Sequence, residues 1–88
     1  MGQVEIRFTQ AARKHRVGRS SVRYVLARAT ASGTTTSQGN PGWRYVGVDE
    51  RGRELEIIAV EVTGATGEGV LLVIHVMPTN LRGSGSDV

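Results

Sequence analysis

The chain has 88 residues, of which 39% are hydrophobic and 22% are charged. This length is enough for one domain with a modest core, and the composition is typical of a folded protein rather than a disordered one. The sequence has no apolar run of the roughly 20 residues that span a membrane and no secretory signal, so we predict a cytoplasmic protein without a membrane partner. There are no cysteines, and the two histidines lack metal-binding spacing, so we expect no metal and no cofactor.

The net charge of +3 hides a strong asymmetry along the chain. Residues 1–30 carry a charge of +6, whereas residues 31–88 carry −3. Such a concentration of positive charge attracts polyanions such as nucleic acid, or an acidic protein partner. Ten of the eleven basic residues are arginine, which can bind phosphate through two parallel hydrogen bonds. The alternative interpretation is that these basic residues only form the solvent-exposed face of a helix.

The hydrophobic pattern of the first third predicts one strand and two helices. Residues 4–8 alternate apolar and charged side chains, as a half-buried strand does. Thr9 is a suitable N-cap for a short helix over residues 10–15. A second helix is predicted over residues 21–29, because its apolar residues follow helical spacing. These residues are Val22, Val25, Leu26 and Ala29.

The remaining sequence predicts a polar loop and then a sheet. Residues 30–42 are rich in Gly, Ser and Thr, which is typical of a mobile loop. Three strands follow, separated by short turns that favour an antiparallel meander: 43–49, 54–62 and 69–77. We therefore expect a single α+β domain over residues 1–82, with two N-terminal helices packed on a small antiparallel sheet in the order β-α-α-β-β-β. Residues 83–88 are predicted to be a flexible tail.

Residues 10–29 resemble the core of a helix-turn-helix. Ala12 lies in the first predicted helix, Arg16-Val17-Gly18 forms the turn, and Val22 lies in a Ser-capped second helix. The resemblance implies a DNA-binding regulator that binds its duplex as a dimer. A complete module also needs a third helix, whereas the segments that follow are predicted strands.

A broader resemblance covers residues 8–82. Three stretches carry it: Lys14–Val17, Arg44–Leu55 and Val73–Thr79. They resemble the BrnT-like toxins of bacterial type II toxin–antitoxin modules, which have a RelE-like fold. The resemblance implies an endoribonuclease that cleaves mRNA, free or on the ribosome, until a cognate antitoxin with an acidic surface covers it. It also admits a homodimer within that complex. The segment MPTNLRGSGSDV departs from the family, where a Ser-Ala-Arg type segment and a basic helix are more usual.

RNA can be cleaved without a metal, because its own 2′-hydroxyl is the nucleophile. A base removes the hydroxyl proton, cations stabilise the charge on the phosphate, and an acid protonates the leaving oxygen. Histidine is a natural acid or base near neutral pH, and arginine a natural charge stabiliser. His15 stands between Lys14 and Arg16, two cations that favour the neutral base. Arg44 alternates away from Trp43 and can share an open sheet face with His75.

The candidate site residues follow from this chemistry. The catalytic candidates are His15, Arg44, His75 and Lys14. The RNA-binding candidates are Arg13, Arg16, Arg19, Arg23, Arg53, Arg82 and Tyr45. Structural roles compete with each assignment: a helix end for His15, a half-buried strand position for His75, solvated strand ends for Arg53 and Arg82, and a core position for Tyr45.

Strict alternation along the last strand places His75 on the face of Leu71, Val73 and Met77. Glu54 and Glu56 are predicted to be exposed and to repel RNA, so the RNA groove is expected along the helices. An RNA-cleaving toxin accounts for the most features together. A helix-turn-helix regulator and a non-catalytic interaction domain are the alternatives.

Overall fold

The structure, a computed structural model, describes residues 5–13 and 17–79. Its elements are β1 (Glu5–Phe8), a 3-10 turn (Ala11–Arg13), α1 (Arg19–Arg28), β2 (Ala31–Thr35), β3 (Pro41–Val48), β4 (Glu54–Thr63) and β5 (Gly69–Pro78). The strands form one mixed sheet in the order β1-β5-β4-β3-β2, in which β1 runs parallel to β5 and all other neighbours are antiparallel. No helix in this part of the chain is long and apolar enough to cross a membrane.

The predicted fold, two helices on an antiparallel sheet in the order β-α-α-β-β-β, is wrong. One α-helix packs on a five-stranded mixed sheet instead. Within the described residues, the first predicted helix is only the 3-10 turn, and residues 14–16 lie outside them. Thr9 caps this turn, as the sequence predicted, because its Oγ1 accepts a hydrogen bond from the Ala12 N–H at 3.2 Å. The Thr9 N–H donates to the Val73 carbonyl at 3.0 Å, so the capping residue is also held by the sheet.

The predicted mobile loop over residues 30–42 is also wrong, because this segment forms the β2–β3 hairpin. The Thr36 N–H donates to the Asn40 carbonyl at 2.8 Å, and Gly39 takes a positive φ of 86° in the turn. Composition misled the prediction, because threonine is β-branched and favours strands even among glycine and serine. The three strands predicted after this segment are confirmed, within two residues at each end.

α1 buries its apolar side against one face of the sheet, here called the helix face. Val22 and Val25 are fully buried there, and the core also contains Leu55, Ile57, Ala59, Val73 and Val76. The 3-10 turn lies on the same face, since its Ala12 belongs to this core. Among the described residues, no helix packs on the opposite face of the sheet, here called the open face. The half-buried side chains of that face are therefore accessible to a ligand.

Candidate active site

Arg44 and His75 lie on the open face of the sheet. The strand register brings them into one row across β3, β4 and β5, with Ile58 between them. Cross-strand partners project to the same side of a sheet. Ile57 and Ala59, the neighbours of Ile58 along β4, both belong to the helix-face core. The side chains of Arg44, Ile58 and His75 therefore project to the open face.

A β-bulge in β5 sets the direction of His75. Ile58 pairs with His75 whereas Ala59 pairs with Val73, so Ile74 is an extra residue on β5. Strict alternation would have placed Val73 and His75 on one face, as the sequence predicted, and that prediction is wrong. Val73 is fully buried on the helix face, and the His75 side chain is 38% exposed on the open face.

Glu56 connects the two basic side chains. Its Oε2 accepts a hydrogen bond from Arg44 Nε at 2.6 Å, and its Oε1 lies 3.3 Å from His75 Nε2. Glu56 is only 7% exposed, whereas the Arg44 side chain keeps 36% of its surface in solvent. A buried carboxylate is stable only when it is paired and hydrogen-bonded. Arg44 supplies that pairing, and His75 adds to it when protonated. We call these three residues the Arg44–Glu56–His75 cluster.

Sequence reasoning missed Glu56 as a site residue. Glu54 and Glu56 share a strand face, as predicted, but only Glu54, at the strand end, is exposed. Glu54 accepts a hydrogen bond from the Thr79 hydroxyl at 2.7 Å. Glu56 is covered because Arg44 and His75 come from the two neighbouring strands. The available signal was a single acid inside the apolar run Leu55–Val60.

A cleft of about 350 Å³ opens beside the cluster. Glu56 and His75 form part of its wall, together with Ile58 and Ile74. The remaining wall is formed by four consecutive residues at the end of β2 and in the turn after it, each of a type that carries a hydroxyl group: Thr34, Thr35, Thr36 and Ser37. The cleft thus offers a carboxylate, an imidazole and several hydroxyl groups to one polar ligand.

The other candidate residues lie elsewhere. Arg19 and Arg23 are on α1, and the Arg19 guanidinium carbon lies 5.5 Å from the centre of the Phe8 ring. Tyr45 packs against the helix-face core. Arg53 is paired with Asp49 at 3.0 Å in the β3–β4 turn. Lys14, His15, Arg16 and Arg82 lie outside the described residues, as does the side chain of Arg13, whose backbone is in the 3-10 turn.

Asp49 fixes the hairpin that carries Arg44 and Glu56. Its side chain is fully buried and accepts hydrogen bonds from the N–H groups of Arg51 and Arg53, both at 2.9 Å. Burial raises the pKa of Asp49, but these hydrogen bonds and the Arg53 guanidinium outweigh burial and hold the pKa below its usual range. Asp49 is therefore a structural carboxylate, ionised at neutral pH.

Comparisons with protein-family models, curated proteins and solved structures found no match for this chain. The chemistry of the site is therefore the guide to function. Among the described residues, no group of three His, Asp or Glu side chains is placed to hold a metal ion. What the cluster offers is a carboxylate that can accept a proton, an imidazole that can donate one, and a guanidinium that can stabilise an anion.

Proposed function

We propose that this protein is the toxin of a type II toxin–antitoxin module, an endoribonuclease whose active site is the Arg44–Glu56–His75 cluster. The observation that carries the proposal is the contact of one carboxylate with an arginine and a histidine on an accessible sheet face. These are the three kinds of group that cleavage by the RNA 2′-hydroxyl requires. The resemblance of residues 8–82 to BrnT-like toxins supports the same activity.

Each group has a distinct role in the proposed reaction. A Glu56 carboxylate oxygen accepts the proton of the 2′-hydroxyl, and the ribose 2′-oxygen then attacks the neighbouring phosphorus. Arg44 stabilises the negative charge that gathers on the phosphate oxygens. Protonated His75 gives its proton to the 5′-oxygen as the phosphorus–oxygen bond breaks. The products are a 2′,3′-cyclic phosphate and a 5′-hydroxyl end, and the reaction uses no metal, since RNA supplies the nucleophile.

The electrostatics of the cluster suit this substrate. With His75 protonated, two cations surround one carboxylate, so the cluster carries a net charge of +1 that attracts phosphate. The cleft beside the cluster can take the ribose or base next to that phosphate, because hydroxyl groups in its wall can both donate and accept hydrogen bonds. These features favour a substrate on the open face rather than along α1.

Cleavage of a short single-stranded RNA by the purified protein tests the proposal. We expect Glu56→Gln and His75→Ala each to lower the cleavage rate by about 100-fold or more, the usual effect of losing a general acid or base. Arg44→Lys keeps the charge but loses the planar guanidinium, so it should also slow cleavage, whereas Arg7→Lys at the exposed Glu5 pair is the matched control and should not.

His15→Ala separates the two histidine candidates. If His75 is the acid, His15→Ala cleaves at nearly the wild-type rate, and the 5′ product ends in a cyclic phosphate. Cleavage that survives Glu56→Gln and His75→Ala but is lost in His15→Ala would contradict the assignment to the cluster. If wild-type protein with a normal circular dichroism spectrum cleaves neither this free RNA nor mRNA on translating ribosomes, the result would contradict the ribonuclease itself.

A further inference from the structure

Residues 5–13 and 17–79 cover only part of the helix face of the sheet. α1 packs on β3 and β4, and beside it an open trough of about 710 Å³ runs toward the end of β4 and the start of β5. Most of the trough wall is apolar, with Ile6, Leu26, Tyr45 and Leu71 as its larger side chains, all of which also pack against the helix-face core. These apolar side chains form a surface against which the apolar side of another element can pack.

The α1 side of the trough is basic. Arg23 lines it, and a smaller cleft that continues toward β1 is lined by Arg7, Arg19 and Arg23. α1 carries three arginines and no acidic residue. Glu61 lies on the opposite, sheet side of the trough. An occupant with apolar residues facing the sheet and acidic residues facing α1 would therefore match both the surface and its charge.

We propose that this trough binds an amphipathic helix of an acidic protein partner. A helix with its side chains is about 10–12 Å across, and one lying beside α1 would form a second helix on the sheet. Its apolar side chains, at helical spacing, would cover Ile6, Leu26 and Leu71, and its acidic side chains would pair with Arg19 and Arg23. The inference rests on the proposed function only for the partner's role as antitoxin, because the trough and the Arg44–Glu56–His75 cluster lie on opposite faces.

Calorimetric titration of the full chain with a designed peptide tests this inference. The probe is a capped 16-residue helix with leucine at i, i+3, i+4 and i+7 and glutamate beside the leucine stripe. A second probe has lysine in place of each glutamate. We expect micromolar binding of the acidic probe and at least tenfold weaker binding of the basic one, a difference of about 1.4 kcal/mol.

Three variants locate the binding site. Ala27 is an exposed α1 residue that lines the trough, so Ala27→Tyr should fill it and weaken binding at least tenfold. Arg23→Glu reverses the charge on the α1 side of the trough and should weaken binding of the acidic probe by a similar factor. Arg28→Glu is the matched control, because Arg28 stacks on Tyr24, 3.7 Å from the ring centre, and does not line the trough. It should change the affinity less than twofold.

Several outcomes would overturn the inference. They are equal affinity for the two probes, no binding at 1 mM peptide, and binding that neither Ala27→Tyr nor Arg23→Glu weakens. A dimer of this chain that Ala27→Tyr dissociates would assign the trough to a second copy instead. RNA cleavage by the same samples separates the two proposals: cleavage without peptide binding removes only this inference, and peptide binding without cleavage removes only the ribonuclease.

Discussion

Asp49 and Glu56 are the two acidic residues that the described part of the fold buries, and each is held by an arginine. The partners of Asp49 all lie within four residues of it, in one turn. Arg44 and His75, two partners of Glu56, come from two other strands and lie on an accessible face. The first arrangement closes a hairpin, whereas the second assembles distant residues around one carboxylate, as an active site does.

The low pKa of Asp49 gives a pH dependence of stability. Because the folded-state pKa lies below the usual value of 3.8, ionised Asp49 stabilises the fold above that value, and this contribution disappears as the pH falls through the folded-state pKa. We expect Asp49→Asn to lower the free energy of unfolding at pH 7, with a difference from wild type that narrows steadily below about pH 3.8. Urea unfolding of both proteins at a series of pH values from 7 to 2 measures this difference in the free energy of unfolding.

Glu5→Gln is the control for this prediction. Glu5 pairs with Arg7 at 2.7 Å, but both side chains are about half exposed, and such surface pairs contribute little to stability. Glu5→Gln should therefore have the same free energy of unfolding as wild type from pH 7 to pH 2. A difference for Asp49→Asn that is as large at pH 2 as at pH 7 would show that its charge is not what stabilises the turn.

At the scale of elements, β3 lies against the C-terminal end of α1 at Gly47. A Cβ added there would lie 3.2 Å from both Ala29 Cβ and Val25 Cγ1, closer than ordinary van der Waals contact. We expect Gly47→Ala to lower the free energy of unfolding by about 1–3 kcal/mol, the usual cost of overpacking a core. Gly33→Ala is the matched control, since a Cβ at Gly33 on β2 meets no atom within 4 Å. Thermal and urea unfolding of the two variants should differ clearly, and equal losses would contradict the close packing of α1.

Elements with a strong periodic pattern could be predicted from the sequence. The apolar stripe of α1 and the apolar runs of β4 and β5 are local sequence patterns. The structure has a helix and two strands at the positions that these patterns predict. The segment over residues 10–15 was predicted as a helix from local signals alone. The hydrogen bond from Thr9 to Val73 connects it to a strand more than 60 residues away, which no local pattern reports.

The candidate site could be predicted only in part, for the same reason. Alternation along β3 correctly separates Arg44 from Trp43 and Tyr45. The bulge at Ile74 depends on how β5 pairs with β4, so the side on which His75 lies could not be derived from β5 alone. The burial of Glu56 likewise depends on side chains from both neighbouring strands. The register between strands that are distant in sequence, rather than residue type, determines which side chains form this site.

On the scale of the whole molecule, the sheet separates two kinds of surface. The arginines of α1 and the apolar trough lie on the helix face, and the Arg44–Glu56–His75 cluster lies on the open face. A single RNA strand lying flat on the protein cannot contact both faces. The sequence suggested that RNA follows the basic helices. We now propose RNA on the open face and an acidic partner on the helix face, which makes catalysis and partner binding separable by mutation.

Inducible expression in a bacterial host tests this division in a living cell. Wild-type protein should arrest growth and fragment cellular RNA, and Glu56→Gln, expressed to the same level, should do neither because it lacks the base. Ala27→Tyr should arrest growth like wild type, since its change lies on the other face from the cluster. Arrest by Glu56→Gln as strong as that by wild type would mean that toxicity does not come from this site. Normal growth and intact RNA with folded wild-type protein would favour a DNA-binding regulator or an interaction domain, and a duplex-binding assay would then distinguish between those two.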